Sequence, residues 1–211
     1  GNFIQIRDSG RTSQEFLTFV QNFTGGTVKD NWLGDFYSIG QFFGQEYANN
    51  VFSGGLVISN NTSALFYNNN FSGQVSNNTF SGRVNTNTFS GNVNNNTFSG
   101  YVNNNTFSGY VSNNTFSGNV NNNTFSGVVS NSTFNGFVNT NTFSGDVSKS
   151  TFSGYVSNNT FSGQVNSNTF SGYVSNNTFT YTGNLQYLTI TDDLQSKTID
   201  DVTYPFLFNT D

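Results

Sequence analysis

The sequence predicts an all-β, parallel two-sheet solenoid of about 18 residues per coil (two nonapeptides), with capping segments at both ends. Three observations predict it. A Phe recurs at every ninth position from Phe71 to Phe179, each nonapeptide alternates apolar and polar residues, and the variable site of the unit divides into two unlike rows when counted in eighteens. A fixed short period of this kind is the mark of a repeat architecture, in which each unit buries its apolar face only against its neighbours.

The unit is N-T-F-S-G-x-V-[NS]-N. Its Phe positions are Phe71, Phe80, Phe89, Phe98, Phe107, Phe116, Phe125, Phe134, Phe143, Phe152, Phe161, Phe170 and Phe179, and Val follows four residues after Phe, beginning with Val75, Val84, Val93, Val102 and Val111. Counted from Phe, the Phe, Gly and Val fall at even offsets and Thr, Ser and x at odd ones. That is the period-two pattern of a half-buried strand. A Gly in every copy argues against helix. The Asn-rich link suits a tight corner, because Asn tolerates left-handed backbone and bonds to its own main chain. Each nonapeptide is thus read as one strand and one corner.

Counting the variable site in eighteens gives Gln74, Asn92, Tyr110, Val128, Asp146 and Gln164 in one row, and Arg83, Tyr101, Asn119, Phe137, Tyr155 and Tyr173 in the other. The second row is the more aromatic. Three nonapeptides per coil would mix the two classes, so two are preferred. In such a coil the Phe of one side faces the Val of the other and Gly meets Gly at the centre, with Phe rings leaning into the space the glycines leave. Stacking coils about 4.8 Å apart then forms Phe and Val ladders inside and Asn ladders at the corners. Each buried Phe contributes roughly 1.5–3 kcal/mol.

Residues 49–180 form the array; 1–48 and 181–211 differ in composition and read as end pieces. In the first, Phe16, Phe19, Val20 and Phe23 stand at helical spacing, which predicts a short helix in a partly helical cap. The segment around Leu56, Ile58, Leu65 and Phe66 falls out of phase with the repeat. The last piece reads as a β-rich cap or assembly segment. Open solenoid ends are templates for strand addition, so Phe16, Phe19, Trp32, Tyr204, Phe206 and Phe208 are candidate assembly residues.

Composition limits the function classes. The 211 residues include no Cys, His or Met and only 8% charged residues. Nucleophile systems built on His or Cys, structural zinc sites and disulfide frameworks are therefore absent. A net charge of −5 argues against nucleic acid as a partner. No apolar run is long enough for a membrane span. The opening Gly1-Asn2-Phe3 carries no signal segment and fits a processed, secreted product. No catalytic residue, metal ligand or cofactor is nominated: the array offers a single acid, Asp146, where a polysaccharide-cleaving solenoid needs a cluster.

Three surface features remain. Thr precedes Phe in every copy from Thr79 to Thr178 and Ser follows it in most, giving an uncharged hydroxyl lattice suited to ordering water or packing on an identical surface. Tyr101, Phe137, Tyr155 and Tyr173 form an aromatic row, a candidate contact with another protein. Asn77, Asn95, Asn104, Asn113, Asn122, Asn131, Asn158 and Asn176 each open an N-x-[ST] sequon and are candidate glycan acceptors.

The N-T-F-S-G run resembles the N-x-V-x-G unit of the grass ice-recrystallisation-inhibiting β-rolls, with Phe in place of Val. That resemblance implies a compact solenoid with Asn ladders and an ice-binding face made of the Thr and Ser rows. The nine-residue half-coil, the second inward Val and the aromatic row depart from that pattern. More loosely, the array resembles Asn-rich repeat proteins of microbial surfaces and phage fibres. The expected function is a self-assembling structural subunit of an extracellular fibre or surface layer, amyloid-like in its stacking and partnered mainly by itself. The alternatives are an ice-binding protein and an adhesin or phage-fibre shaft.

Overall fold

Two-residue strands could not persist alone; here they persist because each is paired on both sides by the same residues of the neighbouring coils. The structure is a computed structural model that describes residues 3–4, 26–30, 32–33, 45–54, 63–180, 189–190, 197–199 and 202–204. These form an all-β parallel solenoid with no helix among the described residues. Val84 pairs with Val102, Phe89 with Phe107, Val93 with Val111 and Phe98 with Phe116, so the coil is 18 residues long and like residues stack on like.

Each nonapeptide makes two short strands rather than one. In one coil these are Val84–Asn85, Thr88–Phe89, Val93–Asn94 and Thr97–Phe98. Stacked over successive coils they become four parallel ladders, termed here the first Val, first Phe, second Val and second Phe ladders. The chain bends twice per nonapeptide. One bend is the Asn corner, where a residue every nine positions from Asn68 to Asn176 takes a positive φ of 49–58°. The other lies at Ser-Gly and splits each predicted strand in two.

The Phe and Val side chains point inward and are fully buried across the array. Within a ladder the rings lie flat on one another, as Phe89 and Phe107 do at 4.7 Å and 4°. Between the two Phe ladders they meet edge to face, as Phe107 and Phe116 do at 6.2 Å and 88°. Each ring therefore meets its neighbours both flat-on and edge-on, the two arrangements that its quadrupole favours. Phe from one side of the coil thus meets Phe of the other, rather than only the opposite Val.

The glycines do not face one another across the core. A Cβ on Gly109 would lie under 3.0 Å from the carbonyls of Gly91 and Ser90 in the preceding coil, and Gly118 stands in the same relation to Gly100 and Ser99. Glycine is needed here because the coils touch backbone to backbone at this bend. The neighbour is main chain and cannot rotate away.

Strand pairing also crosses residue 49. Gly26–Lys29 pairs with Gln45–Ala48, which pairs with Leu65–Tyr67, extending the first Val ladder. Here Tyr47 and Phe66 take the Val position, and the coil runs one residue longer, with Tyr47 opposite Phe66. Leu65 and Phe66 are therefore in phase with the array, opposite Arg83 and Val84. Trp32 lies in the strand Trp32–Leu33 and Tyr204 in the hairpin strand Val202–Tyr204, which pairs antiparallel with Lys197–Ile199. The helix expected around Phe16 and Phe19, and also Phe206 and Phe208, lie outside the described residues.

Gly109→Ala should lower the stability of the array by about 1–3 kcal/mol, the usual cost of overpacking a close contact. Thermal unfolding followed by circular dichroism measures it. An unchanged midpoint would mean the coils can separate at this bend.

Candidate functional site

With Phe and Val committed to the core, function has only the corners and the outward rows to work with. The corners are built from consecutive residues of opposite fate. The first takes the left-handed backbone and is exposed; the second is buried and builds a polar ladder. Asn105 is typical. Its main-chain N–H and its Nδ2 both donate to Oδ1 of Asn123 in the next coil, at 2.9 and 3.0 Å, and Nδ2 donates again to the Val84 carbonyl at 2.8 Å. Every polar atom of the amide is used, which is what burial of an Asn requires. In the second corner ladder Ser132 and Ser150 replace Asn. The main-chain N–H groups of Asn114 and Ser132 then reach serine hydroxyls at 3.2 Å, a longer bond than the amide gives.

The exposed corner residues include all eight sequon Asn of the array. Asn77, Asn95, Asn113 and Asn131 share one corner and Asn104, Asn122, Asn158 and Asn176 the other. Neighbouring corner residues stand one coil, about 4.8 Å, apart. A glycan on one therefore excludes a glycan on its neighbour. Two of these side chains already donate to the outward row beside them, Asn104 to Asn85 at 3.2 Å and Asn158 to Asn139 at 2.9 Å.

The outward rows make two unlike faces. On the first Phe ladder Thr88, Thr106, Thr124 and Thr142 are exposed, and so are Ser90, Ser108, Ser126 and Ser144 beside them. These rows carry no charge and no aromatic residue. On the second Phe ladder the Thr residues, from Thr79 to Thr169, are half-buried. Nothing in the structure explains that difference between the two Thr rows.

The aromatic row lies on the first Val ladder. Tyr101, Phe137, Tyr155 and Tyr173 are 48%, 40%, 39% and 58% exposed, and Leu65, 40% exposed, heads the same row. Phe137, Tyr155 and Tyr173 stack face to face at 4.6 Å, while the Arg83 guanidinium sits 5.5 Å from the Tyr101 ring centre. Stacking along the rod turns the ring edges, not the faces, to solvent. A sugar platform needs open ring faces, so this row does not provide one. Tyr110, 50% exposed, stands apart on the other side of the coil.

The perturbed phenols give no proton-transfer group near neutrality. Burial pushes Tyr47 well up, and Tyr67 is raised first by its hydrogen bond to the Glu46 carboxylate. Among the described residues no three acidic side chains gather where a cation could be held.

Comparison with protein-family models, curated proteins and solved structures returns no match. The functional reading therefore rests on the surfaces themselves. Leu65 and Arg83 extend the aromatic row beyond the four residues expected from sequence. Counting back 18 from Arg83 finds Leu65, but Phe in place of Val at Phe66 hides the phase.

One corner is defective in a way that can be repaired. Thr140 holds a φ of 56°, which a β-branched residue tolerates poorly. The Oδ1 of Asn121 is buried without a hydrogen-bond partner. By the spacing of Asn158 to Asn139, an Asn at 140 would donate to it. Thr140→Asn should therefore stabilise the protein by about 1 kcal/mol or more. Its thermal midpoint should rise; a fall would show that the corner geometry demands something else.

Proposed function

We propose that the chain is a structural subunit that self-assembles into an extracellular or cell-surface fibre or layer, joining through its coil ends and its aromatic row. The supporting observation is the in-register stacking: each coil offers the next an identical edge of Val, Asn, Phe and Gly positions, so a coil of a second copy meets the same template. Low charge, 8% of residues, leaves little repulsion between copies. A lack of Cys and Met leaves such a fibre indifferent to oxidants of those side chains. Glycans on alternate corner sequons are compatible with this reading. A shaft made by three chains with a shared Phe core finds no support, because the Phe rings are already buried within one chain. Electron microscopy of the purified protein should reveal uniform filaments whose axial repeat is a multiple of the strand spacing. Dispersed single rods would overturn the proposal.

A second reading has its own observation. The exposed Thr and Ser rows of the first Phe ladder are regular, uncharged and free of aromatic side chains, as an ice-binding surface requires. If the rods disperse, they should slow ice growth in undercooled water. Thr124→Tyr, in the middle of that face, should abolish the effect, whereas Tyr155→Ser on the opposite face should not. Equal loss in both variants would sink this reading.

A further inference from the structure

The first Val ladder presents an exposed row whose order is Leu65, Arg83, Tyr101, Asn119, Phe137, Tyr155 and Tyr173, one residue per coil. Rows of apolar rings on a soluble rod mark an interaction surface. The order itself points to the occupant. Reversed about Asn119, the row is complementary to itself: Tyr101 meets Phe137, Arg83 meets Tyr155, and Leu65 meets Tyr173. A two-fold contact pairs each residue of one copy with its reciprocal in the other, so this is the pattern that an antiparallel pair demands.

We propose that two copies of this chain pair side by side and antiparallel through the first Val ladder, with Asn119 of each on the two-fold axis. The proposal rests on the self-assembly reading above and names one of its contacts. Charge selects the direction. A parallel two-fold pair would set Arg83 against Arg83, two buried like charges in an aromatic strip. The antiparallel pair sets each guanidinium over Tyr155 of the partner, while it already lies 5.5 Å from Tyr101 of its own chain. A cation between aromatic rings is a favourable arrangement, and more so once desolvated.

Polar satisfaction fixes the register. Asn119 is the single short polar residue between Tyr101 and Tyr173 in this row. Opposite Phe137 its amide would be buried without a partner. On the axis, each Asn119 amide donates to the other, as a lone polar residue does when it sets the register of paired helices. Repetition in the core thus leaves one outer row free to encode an address.

The test uses engineered thiols, since the chain has no cysteine of its own. Under mild oxidation Asn119→Cys should cross-link with itself into a covalent dimer. Phe137→Cys alone should remain single, but should form a dimer when mixed with Tyr101→Cys. Self-cross-linking of Phe137→Cys would indicate parallel pairing, and no cross-linking in any mixture would indicate no such contact; either overturns the proposal. In sedimentation the unmodified protein below filament-forming concentration should approach twice 23.1 kDa. Asn119→Asp, which sets two carboxylates face to face, should weaken the pair at least tenfold while leaving the circular dichroism spectrum unchanged. Filaments without these cross-links would leave the fibre reading standing and remove the pairing; cross-linked pairs without filaments would do the reverse.

Discussion

The structure depends on one interaction, the acceptance of two hydrogen bonds by each buried corner Asn from the coil before it. Oδ1 of Asn123 takes both the main-chain N–H and the side-chain amide of Asn105. This settles several matters at once. It satisfies a main-chain donor at a corner, where the strand ladder is interrupted, and it buries an amide without leaving an atom unpaired. It also ties residue i to residue i+18 and to no other, so a slip of register would break every corner together. Strands of two residues are too short to hold a register by themselves; the corners hold it for them.

The remaining features follow from that fixed register. With the coils locked, the Phe rings of one ladder must lie flat on each other at about the strand spacing, and the two Phe ladders can then meet only edge to face. Glycine follows as well. At the Ser-Gly bend the backbone of one coil rests against the carbonyls of the previous one, and any Cβ would hold the coils apart. A wider spacing there would stretch the Asn bonds at the corners. Corner, core and bend are therefore one cooperative element, which is the nearest-neighbour coupling expected of a solenoid.

Much of this is legible in the residues. The nine-residue period gives the inward Phe and Val, the corner Asn gives the left-handed turns, and the unlike rows give the 18-residue coil. The less legible parts have physical causes. Glycine in a strand pattern reads equally as space for a ring across the core or as close approach along the axis, and period-two alternation cannot tell the two apart. The bend at Ser-Gly leaves that alternation intact, so one long strand and two short ones look alike. Upstream, Tyr47 and Phe66 substitute for Val and the coil between them has 19 residues, which hides the phase although the pairing continues. For the surface, sequence identifies the aromatic row but not that its ring faces are used up by stacking; that depends on rotamers shared between coils.

Two nonapeptides per coil also explain how a nearly uniform repeat can carry distinct surfaces. Odd and even copies occupy opposite sides of the rod, so each side accumulates its own outward residues while both keep the same core. One side presents exposed Thr88, Thr106, Thr124 and Thr142; the other presents Tyr101, Phe137, Tyr155 and Tyr173. With three nonapeptides per coil, copies of one class would spiral around the rod and neither face could remain pure. The core places no demand on the variable site, whose side chain points to solvent at every coil. That freedom is what allows a short polar Asn119 to sit within an aromatic row, where a repeat serving only to stack would have no use for it. The exception within the row, rather than the row itself, carries the specific information about a partner.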